Sequence, residues 1–257
     1  MISVDLKTLY CHQPAKGWSK GKPYLWTLFF SIDSSTIQLT ENFRLAGEAF
    51  FKFSEGSHGN LDKETVKSGE AVAIPGDIGH WQAAPHPIKV PFFNYSIPGM
   101  IGVVVVLMME RNVTEAGAEA GHKALNDFVQ KAVNQAIGEF DVKEIDVENI
   151  QPSIKEYFAR KTEVLVEGVE DAVKDAIVKS QNIFQNLWAF IDQDELVGYQ
   201  VWDYNQAEIA EAGGEISLKK RWTSEKGGDW EIVGKISINQ EKEGDLPIEV
   251  DIESEEE

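Results

Sequence analysis

Ten consecutive apolar residues near the middle of the chain, Met100 to Met109, constrain the fold more than any other segment. They include the four valines at 103–106, whose β-branched side chains favour a strand over a helix. The run has no polar–apolar alternation, so we expect both faces of this strand to be covered. Ten residues are too few to cross a bilayer as a helix, which needs about 20. The segment is therefore predicted to be a central core strand, with a membrane-inserting strand as the alternative.

Two segments with helical periodicity follow this run, at 114–138 and 152–188. The first carries one apolar stripe at the spacing that places side chains on a single helix face. Thr114 is in position to cap its N-terminus, and Pro152 suits the first turn of the second helix. We therefore expect a two-helix insertion, about 111–190, between β-rich parts of the chain.

Strand patterns dominate on both sides of this insertion. Alternating apolar residues separated by turn formers predict two hairpins, 24–32 with 36–39 and 216–222 with 229–238. A further strand is expected at the start of the chain, from Ile2. The predicted fold class is α+β, an antiparallel β-sandwich built from the N- and C-terminal strands with the helical hairpin inserted between them.

The predicted domain organisation is one domain with a tail. Residues 1–240 form the sandwich domain, including its helical insertion, and 241–257 form an acidic C-terminal tail. A chain of 257 residues with a hydrophobic fraction of 42% can bury a core of this size.

The charge balance restricts the partners. There are 24 basic against 43 acidic residues, a formal net charge of −19. This excludes nucleic acid as an expected partner, because phosphates need Lys and Arg, and it allows an anionic membrane only if a cation bridges the surfaces. The single cysteine, Cys11, cannot form an intrachain disulfide. Without an evident signal peptide or membrane span, the default location is cytoplasmic, with unconventional export left open.

Acidic residues at the ends of predicted strands form a candidate metal site. Ca²⁺ takes six to eight oxygen ligands from carboxylates and loop carbonyls. Asp192, Asp194 and Glu195 stand together before a strand, and Asp33 and Asp77 occupy comparable strand-end loops. The spacing does not match an EF-hand. Ca²⁺ is therefore the candidate ion, and a solvated acidic turn is the alternative.

Asp192, Asp194, Glu195 and Gly198, with the strand 24–33 that leads into an Asp loop, resemble C2-type β-sandwich modules. In that family, Asp-rich loops at one end of the sandwich hold Ca²⁺ and dock on lipid. The resemblance implies a Ca²⁺-dependent, lipid-directed binding module. The two-helix insertion departs from the usual C2 plan.

Short motifs for catalysis are absent from the sequence: there is no Gly-x-Ser-x-Gly, no Walker A and no Gly-x-Gly-x-x-Gly. The five histidines lack HExxH spacing, although His58, His80 and His86 could form a transition-metal site. Of the seven tryptophans, Trp18 and Trp81 are predicted to lie in loops and form an exposed ligand surface.

These observations favour a non-enzymatic binding module directed at a protein or a lipid. One alternative is a structural or assembly protein, including a pore-forming type of subunit, that binds a protein partner or self-associates through its helices. The other is a carbohydrate-binding protein or a hydrolase.

Three glycines, Gly79, Gly198 and Gly234, each follow an acid and one or two aliphatic residues in strand-like segments. Glycine inside a strand marks a bulge or a close approach of another group. A recurrent strand-entry pattern explains this similarity better than duplication does.

Overall fold

The computed structural model describes residues 1–90, 96–111, 113–141, 153, 156, 195–224 and 226–239. The strands are β1 (Ile2–Gln13), β2 (Lys20–Gly21), β3 (Pro23–Ile32), β4 (Ile37–Leu39), β5 (Leu45–Gly47), β6 (Phe50–Phe53), β7 (Val66–Lys67), β8 (Ala71–Ala73), β9 (His80–Ala83), β10 (Ile88–Lys89), β11 (Ser96–Ile97), β12 (Met100–Met109), β13 (Glu195–Asn205), β14 (Glu215–Ser224) and β15 (Gly228–Ile238). The helices are α1 (Gly76–Gly79), α2 (Glu115–Glu139) and α3 (Gln206–Glu211). About half of the described residues are thus in antiparallel sheets, which agrees with the predicted α+β class.

The apolar run forms β12, which lies inside a central sheet of order β13-β12-β3-β6. Val104 pairs with Leu28 on one side and with Val201 on the other. All ten residues of β12 and all ten of β3 are buried. The prediction of a central core strand is confirmed.

Both faces of this sheet are apolar because each is covered by a different layer. On one face Val104, Val106 and Trp26 pack with α2 in one hydrophobic cluster. On the other face Val103 and Val105 pack with an outer sheet in a second cluster. Alternate residues of a strand point to opposite faces, so a continuous apolar run is what a strand between two cores requires.

The outer sheet has the order β14-β15-β1, and β8 and β9 both pair with the far edge of β1. The hairpin β14–β15 confirms the prediction for 216–222 and 229–238. Ile2 pairs with Ile238, so the first and last described strands are neighbours. Lys7 is an extra residue in β1, because Leu6 pairs with Gly234 and Thr8 with Val233. The inner face of this sheet is apolar and its outer face carries charged and polar side chains.

Helix α2 begins where the sequence predicted. The Thr114 hydroxyl accepts a hydrogen bond from the backbone N–H of Gly117 at 3.2 Å, which satisfies one free donor of the first turn. The apolar stripe from Leu125 to Ile137 faces the central sheet. The predicted second helix and the acidic tail lie outside the described residues, apart from positions 153 and 156.

The predicted hairpin of 24–32 with 36–39 is wrong. Strand β4 pairs with β5, and both edges of β3 are occupied by β12 and β6. The Asp33 carboxylate accepts a hydrogen bond from the backbone N–H of Ser35 at 2.7 Å, and the Asp33 carbonyl accepts from Ile37 N–H at 3.0 Å. This tight side-chain-closed turn directs the chain out of the sheet instead of back along it.

The three glycines of the recurrent pattern lie where another group comes close, as predicted. A Cβ on Gly79 would lie 2.5 Å from the Leu6 carbonyl oxygen, and one on Gly234 would lie 2.4 Å from that of Asp5. At Gly198 it would lie 2.1 Å from Cδ1 of Trp222. Gly79, at the end of α1, and Gly234, in β15, therefore let their backbones approach β1 at its bulge, and Gly198 makes room for an indole.

Among the helices that the structure describes, none combines the length and the apolar character needed to cross a lipid bilayer.

Candidate functional site

The residues predicted to bind Ca²⁺ do not all converge. Asp33 follows Ile32, which pairs with Met100 at the start of β12, whereas Glu195 pairs with Met109 at its end. Strand β12 has ten residues, and at about 3.3 Å per residue its ends are about 30 Å apart. Asp33 and Glu195 therefore cannot bind the same ion.

Asp77 is exposed in α1, beside the middle of the central sheet. The Thr27 hydroxyl donates a hydrogen bond to the carbonyl of its neighbour Ile78 at 2.5 Å. Asp192 and Asp194 lie outside the described residues. Within the described ranges, no group of three or more His, Cys, Asp or Glu side chains is arranged to hold a metal ion. Calcium binding therefore stays a prediction that depends on Asp192 and Asp194.

The two tryptophans predicted to form a ligand surface lie at opposite ends of β1. Trp18 is 46% exposed in the loop that follows β1. Trp81 was expected in a loop, but it lies half-buried in β9 and pairs with Val4, near the start of β1. The twelve residues of β1 separate these positions by about 30 Å. They therefore belong to two different surfaces.

Trp81 belongs to an exposed group of aromatic side chains, which we call the aromatic edge: Phe50, Phe51, Phe53 and Trp81. Strand β6, Phe-Phe-Lys-Phe, is the last strand on its side of the central sheet among the strands described. Phe50 is 51% exposed and Phe53 is 37% exposed. Large apolar side chains grouped on a surface mark an interaction site more often than single ones do.

Contacts between the two sheets hold the aromatic edge in place. The rings of Phe50 and Trp81 stack nearly parallel, 6.0 Å apart, and Trp81 also contacts Phe29 inside the core. On the other face of β6, Phe51 and Phe53 stack at 6.1 Å. The edge is therefore a surface that is already ordered.

Polar contacts reinforce this position. The Lys52 ammonium donates a hydrogen bond to the His80 carbonyl at 2.8 Å and lies 5.5 Å from the centre of the Phe29 ring. The His80 ring nitrogen Nδ1 lies 2.6 Å from an Asp5 carboxylate oxygen. The side chains of Lys52 and His80 thus tie β6 to the outer sheet through β9.

The aromatic-rich sequence at 46–53 is typical of a strand, but it does not show that this strand lies at an edge. Phe50 and Phe51 are adjacent, so they must point to opposite faces, and both faces are apolar. A lysine within such a strand is a usual feature of sheet edges. Lys52 is therefore the residue from which the edge position of this strand could have been predicted.

Together these features define an α+β protein of mostly antiparallel strands with an ordered aromatic sheet edge. No family model, no curated protein and no solved structure matches the chain.

Proposed function

We propose that this protein is a non-enzymatic binding module that recognises an extended segment of a partner protein, which adds as a strand to β6. The observation that carries the proposal is the exposure of Phe50 and Phe53 on a strand that has a neighbour, β3, on one side only among the described strands. Such a strand presents backbone N–H and C=O groups that a second strand can pair with.

The side chains of β6 determine which residues a partner segment must carry to pair with it. Phe50 and Lys52 point to the side of the outer sheet, and Phe51 and Phe53 point to the side of α2. An added strand would place its own alternate side chains beside these two pairs. The fitting segment therefore has large apolar residues at alternate positions.

Charge adds a second requirement. Two exposed glutamates lie near the two ends of β6, Glu48 before it and Glu55 after it. The whole chain has a net charge of −19. A partner segment with basic residues at both ends would be attracted to this edge and held in register by it. The proposed ligand is an extended apolar segment with Lys or Arg flanks.

The test uses a panel of labelled extended peptides with alternating apolar residues, flanked by either lysines or glutamates. Fluorescence polarisation measures their binding to the full chain. We expect lysine-flanked peptides to bind, and the double variant F50S/F53S to bind at least about tenfold more weakly. The matched control is Tyr10→Ser, because Tyr10 is also an exposed aromatic residue (40%) but lies on the outer face of β1.

The proposal fails if no peptide binds, or if F50S/F53S, folded by circular dichroism, binds as the wild type does. Self-association is measured by sedimentation of the same proteins. A dimer abolished by F50S/F53S, without peptide binding, would show that the edge serves a second copy and would overturn the partner proposed here.

The Ca²⁺-dependent, lipid-directed form of the binding hypothesis remains a separate proposal. Its support is the Asp192-Gln193-Asp194-Glu195 sequence alone. Calorimetry with Ca²⁺ on the full chain tests it, and the absence of heat at millimolar Ca²⁺ would reject it.

A further inference from the structure

The opposite end of β1 carries a cleft of about 340 Å³. It lies between the loop after β1 and the turn that joins β14 to β15. Gln13 and Lys16 line one side, and Thr223, Ser224 and Asp229 line the other. We call this the tip cleft. Its volume suits one or two sugar-sized rings.

The turn beside the tip cleft is fixed by hydrogen bonds. The indole N–H of Trp230 donates to the Gly227 carbonyl at 2.8 Å, and Gly227 N–H donates to the Ser224 hydroxyl at 3.0 Å. Gly228 has a φ of +96°, and a Cβ there would lie 2.6 Å from the Gln13 carbonyl oxygen. The two sides of the cleft are therefore held close to each other before any ligand arrives.

An exposed indole, that of Trp18, is linked to the same turn through Arg111. The Arg111 guanidinium is 5.1 Å from the centre of the Trp18 ring and donates a hydrogen bond to the Lys226 carbonyl in the turn. Arg111 thus supports one face of an indole that remains 46% exposed. A flat apolar ring beside hydroxyl and amide groups matches a pyranose, which has C–H groups on its faces and hydroxyls at its rim.

The charges at this end favour an anionic sugar. Lys16, which lines the cleft, is exposed and forms no ion pair with another described residue. Asp229, the carboxylate among the described residues that line the cleft, is held by Arg221 in a bidentate pair at 2.6 and 2.7 Å. That guanidinium also lowers the pKa of Asp229. Among the described residues that line the cleft, the Lys16 ammonium is therefore the charge without a counterion.

We propose that the tip cleft and Trp18 form a binding site for a short acidic saccharide. The sugar ring stacks on Trp18, its hydroxyls bond to Gln13, Thr223 and Ser224, and its carboxylate meets Lys16. The net charge of −19 opposes a long polyanion, but its field falls off within about 8 Å at physiological ionic strength. The ligand is therefore short, and its binding is independent of the aromatic edge.

The test titrates the full chain with digalacturonate and, separately, with the neutral disaccharide cellobiose, followed by nuclear magnetic resonance. We expect digalacturonate to shift the indole signal of Trp18. Trp18→Ala should weaken its binding at least about tenfold, and Lys16→Gln should reduce the preference over cellobiose. Lys131→Gln, an exposed lysine on α2, is the matched control and should bind as the wild type does.

Three outcomes overturn the proposal: no shift with digalacturonate at millimolar concentration, equal binding of both sugars, or equal binding by Trp18→Ala and wild type. Vesicles containing phosphatidylserine are tested in parallel. Vesicle binding that is lost in Trp18→Ala, without saccharide binding, would assign this end to a membrane surface instead.

Discussion

The imidazole of His122, on α2, lies flat against the indole of Trp26, on β3, with ring centres 5.3 Å apart and planes 6° apart. Trp26 is fully buried and His122 is 8% exposed. Within the described part of the chain, neither Nε1 of Trp26 nor Nε2 of His122 has a hydrogen-bond partner. Burial lowers the pKa of His122 from 6.5 to about 4. The contact between helix and sheet thus depends on a neutral histidine.

This contact predicts that stability falls in acid. Below pH 6.5 the unfolded chain protonates His122 while the folded chain resists until about pH 4. The unfolded state therefore binds more protons over this window, and the free energy of unfolding should decrease by about 3 kcal/mol as the pH falls through it. Urea denaturation at several pH values measures the decrease.

The variant His122→Phe keeps the ring stack and removes the titrating group. We expect its unfolding free energy to decrease less over the same pH window than that of the wild type. His86→Gln is the control, because His86 is exposed. An unchanged pH profile in His122→Phe would show that other groups cause the acid sensitivity.

Gly198→Ala should destabilise the protein. The new Cβ would lie 2.1 Å from Cδ1 of Trp222, a buried indole that donates a hydrogen bond to the Tyr199 carbonyl at 3.0 Å. Overpacking of this kind costs about 1–3 kcal/mol. Gly138→Ala is the matched control: nothing lies within 4 Å of its Cβ position in α2, and helix propensity predicts a gain of about 0.5–1 kcal/mol. Urea denaturation should therefore give changes of opposite sign.

Val104→Ala and Val105→Ala should cost similar amounts of stability. Their side chains point into different cores, one beneath α2 and one beneath the outer sheet. Each change removes two buried methyl groups, at about 0.8 kcal/mol per group plus a cavity contribution. Val233→Ala, half-buried on the outer face of β15, should cost less. If one central valine tolerates alanine as well as Val233 does, that face is not a packed core.

Thr114→Ala should weaken the start of α2. The lost acceptor leaves the Gly117 N–H without its side-chain partner, at a cost of about 1 kcal/mol. Thr114→Ser keeps the hydroxyl and should retain most of the stability. Chemical denaturation compares the two variants. Equal losses of unfolding free energy would show that the methyl group of Thr114, and not its cap hydrogen bond, contributes the stability.

Local sequence patterns were sufficient to predict several of the strands and helix α2. The β-branched run at 103–106 predicted a strand covered on both faces, because no amphipathic strand tolerates four adjacent valines. Thr114 and the stripe behind it predicted α2 nearly to the residue. The hairpin β14–β15 followed from two strands and a short turn, where chain neighbours are also sheet neighbours.

The pairing of strands that are distant in the chain could not be predicted from such local patterns. The wrong hairpin after β3 arose because its edges are taken by β12 and β6, which come later in the chain. Likewise, the opposite positions of Asp33 and Glu195 depend on the register along β12, which no local pattern encodes. The exposure of β6 depends on which strands flank it, so the sequence of the strand alone does not predict it.

The pairing of Ile2 with Ile238 has a consequence for biosynthesis. While the ribosome translates the chain, β1 emerges first and has to wait for β15 before its longest partner exists. During that interval the backbone N–H and C=O groups along the edge of β1 that β15 will occupy have no strand partner, and contacts between such distant residues form slowly. Nascent chains should accordingly engage a chaperone until the last strand has left the exit tunnel.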